Sequence, residues 1–378
     1  MEEVPMEKKI VVAGHISVDM TPVFPGSKKK SLSQILCPGK LIRTGEMVVY
    51  SGGVVSNTGL TLHKMGANVH LAGKIGHDAL GEMMLAMMKQ HGTEKDLIVD
   101  DAVSTSYTIV VAPPGIDRVF LHGPGGNDTF VADDLKDELL EDAALVHFGY
   151  PPLMRKMYEN GGAELVKLCK RVHEKGAAMS LDLAAVDPDS PEGLVDWRDF
   201  LTHVLPEVDF FVPSIEELCF MLDRRRYESW LERAGDGDVT EILDLEQDIR
   251  PLAAQAMELG VKVLMLKCGI QGIYYQTAGA DLIAEIPPAV ELQVADWADQ
   301  TGFQKSFVPE RVLSGTGAGD SSIGCFLYAM LHGYPVGRCV QLAAAQGASC
   351  VEEVDTLSGL HTLPELETKI AAGWKTRE

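Results

Sequence analysis

Along most of the chain, short apolar runs alternate with segments in which apolar residues recur at helical spacing. Short apolar runs are typical of buried strands, and helical spacing is typical of a helix that packs one face on a sheet. Residues 161–176 (GGAELVKLCKRVHEKG) have the helical pattern. Six segments are predicted to contain buried strands: 9–19 (KIVVAGHISVD), 68–76 (NVHLAGKIG), 144–150 (ALVHFGY), 177–187 (AAMSLDLAAVD), 208–214 (VDFFVPS) and 261–269 (VKVLMLKCG). This order predicts an α/β fold, a three-layer α/β/α sandwich with a mostly parallel central sheet.

Two stretches, about residues 18–51 and 104–124, interrupt this alternation. The first contains prolines and the strand-like segment MVVYSGG, and the second has the pattern of a β-hairpin that turns near Pro113-Pro114-Gly115. We expect both to form a small β-lid outside the main sheet, within one domain that spans residues 1–378. The acidic stretch 233–248 is predicted to be a surface insertion.

Charge and cysteine content narrow the class of partner. The 378-residue chain carries 55 acidic and 33 basic side chains, a formal net charge of −22. Because such a charge repels nucleic acids and anionic membranes, we expect neither as a partner, and a small molecule is favoured. The seven cysteines form no C-x-x-C pair and lie mostly in apolar stretches, which indicates reduced core thiols and a cytoplasmic protein.

Residues 312–331 (VLSGTGAGDSSIGCFLYAML) place three glycines and an aspartate before an apolar run. The apolar run has the spacing of a buried helix stripe, so the helix is predicted to begin between Gly317 and Asp320. Free amides at a helix N-terminus, with glycines that let a bulky group approach, form an anion site. Asp320 beside such an anion suits a general base that deprotonates an attacking hydroxyl. The alternative is a glycine-rich turn in which Asp320 only caps the helix.

A second glycine-rich segment begins at Gly52-Gly53 and places Asn57 near another helix start. A glycine pair lets backbone amides touch a ligand, and an asparagine side chain can both donate to and accept from a sugar hydroxyl. Asn57 could equally be an ordinary helix cap. Lys74 at a strand end is a further candidate for the substrate site, or is simply solvated.

Together these segments resemble the ribokinase-like, PfkB-type carbohydrate kinase family. The N-terminal signature of that family, G-G-x-x-x-N followed by G-x-D-x-x-G, matches Gly52, Gly53, Asn57, Gly76, Asp78 and Gly81. The last five positions of its C-terminal signature, D-T-x-G-A-G-D, match residues 316–320 (TGAGD). The resemblance covers nearly the whole chain and implies a ribokinase-like fold.

The resemblance also implies roles for individual residues. Asp320 would be the base, and the amides at Gly317, Ala318 and Gly319 would form the anion hole for the γ-phosphate of ATP. Asp19, Gly53 and Asn57 would contact the sugar. The candidate substrate-binding set also includes Gly52 and Lys74. The nucleotide-binding set comprises Ser214, Glu217, Lys267, Gly269, Gly272 and Thr316. Glu217 would also hold Mg²⁺, through water.

The chain departs from the family pattern at three places near the nucleotide. Ser314-Gly315 stand where the family has Asp-Thr, an aspartate that in many members helps to hold a monovalent cation, so such a cation requirement stays open. Ser214 replaces an asparagine, and Lys267 replaces a threonine. The Lys267 ammonium could reach the β- or γ-phosphate, or point to water.

The main functional hypothesis is ATP-dependent phosphorylation of a sugar hydroxyl. A nucleoside kinase of the same family is the near alternative, with Val48, Tyr50, Tyr107 and Phe120 as candidate walls for a base. A sugar- or nucleotide-binding protein without turnover is the alternative of a different class. A plain sugar is favoured over a sugar phosphate, because Lys74 and Arg118 are the only basic residues noted near the acceptor region. A homodimer through the lid is a candidate assembly.

Overall fold

The computed structural model describes residues 7–25, 35–114 and 119–377. The Lys28-Lys29-Lys30 run, Gly115 in the predicted hairpin turn and Arg118 lie outside the described residues. Fourteen strands are present in the part described: β1 Lys9–Gly14, β2 Ser17–Pro22, β3 Met47–Gly52, β4 Asn68–Ala72, β5 Lys74–Gly76, β6 Ile98–Asp100, β7 Tyr107–Val111, β8 Val119–Gly123, β9 Ala143–Gly149, β10 Ala178–Asp182, β11 Phe210–Phe211, β12 Val263–Lys267, β13 Gly272–Thr277 and β14 Thr301–Lys305.

The α-helices lie mainly between these strands. Within the described ranges they are α1 Val54–Met65, α2 Ala79–Lys89, α3 Asp137–Leu140, α4 Arg155–Glu174, α5 Trp197–Val204, α6 Ile215–Leu222, α7 Arg224–Ala234, α8 Arg250–Glu258, α9 Ala280–Ile283, α10 Val294–Trp297, α11 Ala318–Leu331, α12 Val336–Cys350 and α13 Leu363–Ala371. Helix α4 is interrupted by non-helical backbone from Glu159 to Gly162, so the helix predicted over 161–176 becomes regular after the two glycines.

The central sheet of the described chain has eight strands in the order β14-β13-β12-β11-β10-β9-β1-β4. The run from β12 to β4 is parallel, and β13 pairs antiparallel with both β12 and β14 at one edge. Each of the six predicted strand segments contributes a strand to this sheet. The mostly parallel arrangement is therefore confirmed.

Helices cover both faces of this sheet. Strand β1 shows why, because successive side chains of a strand point to opposite faces. Val11 and Ala13 belong to a core that includes side chains from α4 to α8, whereas Ile10 and Val12 belong to a second core with α1, α2 and α11 to α13. A strand that is apolar on both faces needs cover on both faces, and this produces the predicted three-layer sandwich.

A second sheet, which we call the lid sheet, has the order β3-β2-β7-β8. Its strands come from the two stretches that interrupted the α/β alternation. The segment 9–19 therefore contains two strands rather than one: β1 enters the central sheet, and β2 enters the lid sheet after a break at His15-Ile16. Asp19 lies inside β2. An apolar run alone does not show that the chain changes sheets within it.

The prediction for residues 233–248 was wrong in part. Asp248 is buried and accepts hydrogen bonds from Trp230 Nε1 at 2.9 Å and Arg233 Nη1 at 3.1 Å. Thr240 is also buried, and its side chain packs against Gly269 after β12. Acidic composition did not predict this packing, because a carboxylate can be buried when it accepts several hydrogen bonds.

One further sequence expectation concerns the cysteines. Six of the seven cysteines are buried, in agreement with the apolar stretches that contain them. No helix in the described part of the chain has both the length and the apolar character needed to cross a bilayer.

Candidate active site

The carboxyl ends of the parallel strands meet at one edge of the central sheet. In register, Gly14 of β1 lies beside Gly149 of β9, and Gly149 lies beside Asp182 of β10. Lys267, at the end of β12, bridges to Ser214 after β11. Strand β1 also pairs with β4 on its other side, so the direction of the strand order reverses here. Ligands of open α/β sheets bind at such a reversal, beyond the carboxyl ends of the strands.

Helix α11 begins at this edge. Gly317 is its N-cap with φ 78° and ψ −4°, a left-handed conformation that strains residues with a side chain. A Cβ at Gly317 would also lie 2.5 Å from Thr356 Cγ2. The helix therefore starts between Gly317 and Asp320, as predicted, and Ile323, Phe326, Leu327, Met330 and Leu331 of its predicted apolar stripe are all buried.

Asp320 lies in the first turn of α11 and is only 6% exposed. Its Oδ2 accepts from Asn57 Nδ2 at 3.0 Å, and its Oδ1 accepts from Thr58 Oγ1 at 3.3 Å. The Tyr150 hydroxyl donates to the same carboxylate, 2.8 Å from Oδ1 and 2.9 Å from Oδ2. Burial raises the pKa of Asp320 above its ordinary value, although the nearby Lys267 ammonium and these donors oppose the rise. A carboxylate with a raised pKa is a better proton acceptor than an ordinary aspartate.

Lys267 and Asp182 form a buried ion pair beside this helix start. Lys267 Nζ lies 2.8 Å from Asp182 Oδ1, with the two side chains 13% and 2% exposed. Burial raises the pKa of Asp182 above its ordinary value, against the opposing effect of the ammonium. Burial would lower the pKa of Lys267, but Asp182 and Glu217 hold it above its ordinary value, so the lysine stays charged. A Cβ on Gly319 would lie 3.7 Å from Lys267 Nζ, so the lysine charge adjoins the first turn of α11.

Ser214 and Glu217 form a capping box at the start of α6. The Ser214 amide donates to Glu217 Oε2 at 2.8 Å, and the Glu217 amide donates to Ser214 Oγ at 3.3 Å. This pairing fixes the glutamate at the helix start and satisfies two free amides. The Glu217 carboxylate also faces the cavity described next.

A cavity of about 550 Å³ lies in front of these groups. The predicted residues that line it share one end of the sheet or the start of α11: Ser214, Glu217, Lys267, Gly269, Gly272, Gly317, Ala318, Gly319 and Asp320. Apolar side chains of Ile270, Ile273, Phe307, Val312 and Val351 form another part of its wall. Thr316, predicted with the nucleotide set, is not among the lining residues.

The residues predicted to bind substrate lie on the other side of Asp320, toward the lid sheet. Gly53 is the N-cap of α1 with φ 84°, and a Cβ there would be 2.5 Å from the His15 carbonyl oxygen. A Cβ on Gly52 would be 2.1 Å from Asp19 Oδ2, so the Asp19 carboxylate lies directly against the glycine backbone. Burial raises the pKa of Asp19. Of this set, Asn57 touches Asp320 directly.

Lys74, also a candidate for the substrate site, is held by acidic side chains. Its ammonium lies 2.7 Å from Asp134 Oδ2, donates to the Thr129 carbonyl at 3.2 Å and is 3.7 Å from Asp100. The side chain is nearly buried, so this ion pair has a structural role. A strand-end lysine has the same sequence signature whether it meets a ligand or an acidic partner.

Sequence reasoning missed four residues of the site: His15, Thr58, Tyr150 and Asp182. Three of them stand at or just after the carboxyl end of an observed strand. Only Tyr150 ends a predicted segment, so for it alone this position was a signal in the sequence. His15 is buried, and neither ring nitrogen has a hydrogen-bond partner among the described residues. Burial lowers its pKa to about 3, so the imidazole is neutral. Its ring lies 5.9 Å from that of Tyr150 and 5.3 Å from that of His122 on the lid sheet.

Known sugar kinases have similar sequences. An uncharacterised sugar kinase of Archaeoglobus fulgidus is 22% identical over 299 residues, which cover 79% of this chain and 97% of that protein. The probable fructokinase-3 of Arabidopsis thaliana is 24% identical over 308 residues, which cover 80% of this chain and 76% of that protein.

Solved structures share the fold. The ribokinase of Arabidopsis thaliana, complexed with ribose and ATP, has a TM-score of 0.69 at 18% identity and covers 96% of this chain and 98% of its own. A putative ribokinase II of E. coli, in complex with ATP and Mg²⁺, has a TM-score of 0.68 at 21% identity and covers 97% of this chain and 99% of its own. The model of the pfkB family carbohydrate kinases matches residues 7–363. The chain belongs to the pfkB family of carbohydrate kinases, and it is a sugar kinase with the ribokinase-like fold.

Proposed function

We propose that the protein transfers the γ-phosphoryl group of ATP to a hydroxyl of a plain sugar, with Asp320 as the general base. One observation carries this proposal: the buried Asp320 carboxylate stands in the first turn of α11, at the boundary between the cavity and the lid-side residues. A binding protein gains nothing from a carboxylate next to an anion site. A kinase needs a proton acceptor there.

The helix start and Lys267 would together stabilise the phosphoryl group during transfer. The amides at Gly317, Ala318 and Gly319 face the cavity, and the helix dipole favours negative charge at this point. The Lys267 ammonium adds a full positive charge beside Gly319. In phosphoryl transfer, catalysis is mostly positioning and electrostatic stabilisation, and these groups supply both. Asp320 would take the proton of the attacking sugar hydroxyl. The bond between the γ-phosphorus and the bridging oxygen would break, and ADP would leave.

The residues present also fit ATP and Mg²⁺. The apolar part of the wall, with Ile270, Ile273 and Phe307, suits an adenine ring. No group of three or more His, Cys, Asp or Glu residues within the described ranges is arranged to hold a metal. Phosphate oxygens would therefore supply much of the coordination, with Glu217 and Asp182 at the cavity wall as oxygen partners, Glu217 through water. Mg²⁺ when bound neutralises charge on the transferred phosphate.

The lid side supports a neutral sugar as the acceptor. Asp19 and Asn57 can bond hydroxyl groups, and His15 is a neutral imidazole with two unpaired nitrogens. Lys74 is occupied by Asp134, so it offers no charge for a sugar phosphate. Tyr50, Tyr107 and Phe120, candidate walls for a nucleoside base, are exposed on the lid sheet, where they can cover a sugar as well as a base.

The direct test is ADP release by the purified protein with Mg-ATP and a panel of sugars, sugar acids and nucleosides. We expect at least one plain sugar to stimulate ADP release and to appear as a phosphorylated product by mass spectrometry. If sugars bind in a calorimeter but none is phosphorylated, the chain is a binding protein. If only nucleosides are phosphorylated, the acceptor class is wrong.

We also propose a homodimer that pairs the lid sheets of two copies. The support is the exposure of apolar side chains on the lid sheet: Met47 on edge strand β3 and Val119, Phe120 and Leu121 on edge strand β8 are between 42% and 55% exposed. Burial of exposed apolar side chains against a partner is favourable. Light scattering after size exclusion should give twice the mass of the 41.0 kDa chain. The double variant Phe120→Lys/Leu121→Lys should give the monomer mass, and a monomeric native protein would contradict the proposal.

A further inference from the structure

Tyr150 is one of two donors to Asp320 that the family resemblance did not include, and it makes the shortest contacts to that carboxylate. Its hydroxyl is 2.8 Å from Oδ1 and 2.9 Å from Oδ2, and it has no other hydrogen bond among the described residues. Burial and the neighbouring Asp320 and Asp182 carboxylates raise its pKa well above the ordinary value of a tyrosine, so the phenol remains a proton donor.

The position of this hydroxyl matters because the carboxylate has few acceptor sites left. Asn57 donates to one oxygen, Thr58 to the other, and the phenol bridges both. Of these three donors only Tyr150 lines the cavity. Asp320 lines the same cavity, so the carboxylate and the phenol that donates to it both adjoin the space assigned above to the phosphates, where an attacking hydroxyl must also lie.

The backbone holds Tyr150 in this position. Its φ of 65° and ψ of 40° are left-handed, which is uncommon for a residue with a side chain and is often found at functional sites. Gly149 ends β9 before it, and Pro151-Pro152 fix the φ angles after it. Because the backbone is fixed on both sides, the hydroxyl would leave Asp320 by rotation of the Tyr150 side chain rather than by movement of a loop.

We propose that Tyr150 occupies the acceptor position on Asp320 while no sugar is bound, and that the sugar hydroxyl displaces it. This inference rests on the proposed function. While the phenol is in place, it competes with water for the acceptor position of Asp320 that adjoins the cavity. Without it, water can attack the γ-phosphorus: a new P–O bond forms, the bond to the ADP oxygen breaks, and the water proton passes to Asp320 and then to the phosphate product. Tyr150 thus suppresses ATP hydrolysis until the acceptor arrives.

The test is ADP release by Tyr150→Phe with Mg-ATP and no sugar. The variant keeps the ring and loses the hydroxyl. We expect sugar-independent ADP release to rise about tenfold, since a hydrogen bond to a charged group is worth at least that factor. The rise should disappear in Tyr150→Phe/Asp320→Asn, because the water must use Asp320. With the sugar identified by the panel, we expect KM for the sugar to fall several-fold while kcat changes by less than about twofold, since the sugar no longer competes with the phenol.

Tyr158→Phe is the matched control. This tyrosine is buried, donates to Glu192 Oε1 at 3.1 Å and makes no contact with Asp320, so its hydroxyl-free variant should keep the wild-type rate of sugar-independent hydrolysis. Tyr150→Phe with unchanged sugar-independent ADP release overturns the inference, as does a rise that survives Asp320→Asn. A lower kcat with unchanged sugar-independent release would mean that Tyr150 only positions Asp320. Because the first measurement contains no sugar, it is independent of the acceptor panel, whose failure would instead contradict the proposed function.

Discussion

Replacement of Asp320 by asparagine is expected to lower kcat for sugar phosphorylation by about 10²- to 10⁴-fold, the usual contribution of a general base. The amide cannot take the proton of the sugar hydroxyl. We expect the affinity for ATP to change little, because the amides of α11 and the Lys267 ammonium remain. Steady-state ADP release gives kcat, and calorimetry gives the affinity for ATP.

The variant should fold, because the new amide finds partners. Asn57 Oδ1 has no hydrogen-bond partner in the described structure, so a flipped Asn57 can accept from the new NH₂ group at position 320. Tyr150 and Thr58 can still donate to its oxygen.

Asp209→Asn is the control for the loss of a buried carboxylate. Asp209 precedes β11, at the opposite end of the strands from the cavity, and bonds Lys262, His173 and the Met179 amide. We expect that variant to lose thermal stability and to keep kcat. If Asp320→Asn kept the wild-type kcat, the base would have to be another group.

Replacement of Lys267 by glutamine is expected to lower kcat/KM for ATP by about ten- to a hundredfold, the range for a lost hydrogen bond to a charged group. It should also move the acid limb of the pH profile. The ammonium lowers the pKa of Asp320 against the effect of burial, so its removal raises that pKa further. A general base is active only when deprotonated. With a higher pKa, Asp320 becomes protonated at a higher pH, so activity is lost at a higher pH as the solution is acidified. Plots of log kcat/KM for the sugar against pH measure this shift.

Lys262→Gln is the matched control for this variant. Lys262 directly precedes the same strand, β12, and pairs with buried Asp209 at 2.7 Å, so both variants remove a buried positive charge from an ion pair. Lys262→Gln should leave the pH profile and kcat/KM for ATP unchanged. An equal loss of kcat/KM in the two variants would show that Lys267 acts only through stability.

The two lysine variants should also differ in stability. Removal of one partner from a buried ion pair costs about 3 to 5 kcal/mol when the remaining charge stays buried. Burial raises the pKa of Asp182 and the Lys267 ammonium opposes that rise, so loss of Lys267 raises this pKa further and Asp182 can take up a proton and become neutral. Burial would raise the pKa of Asp209, but hydrogen bonds from His173 and the Met179 amide oppose the rise together with Lys262. The first two remain in Lys262→Gln, so Asp209 more readily keeps its charge. We therefore expect Lys262→Gln to have the lower free energy of unfolding at neutral pH.

Much of the fold was predictable because its signals are local. The apolar runs identified the strands of the parallel sheet, and the helical spacing identified the helices that cover it. The segment 9–19 shows the limit: the same apolar run feeds two sheets, and the break at His15-Ile16 depends on what each half packs against. Residues 233–248 show another limit, because the burial of Asp248 depends on donors from Trp230 and Arg233.

The sequence by itself determined the start of α11, since the glycines, the free amides and Asp320 are contiguous and their geometry follows from the helix alone. Only the tertiary structure decided which side chains meet there. Tyr150 and Asp320 are 170 positions apart, and Lys267 and Asp182 are 85 positions apart. Their pairing depends on the order of strands in the sheet. The pKa values of these groups depend in turn on burial and on those pairings, which no local pattern encodes.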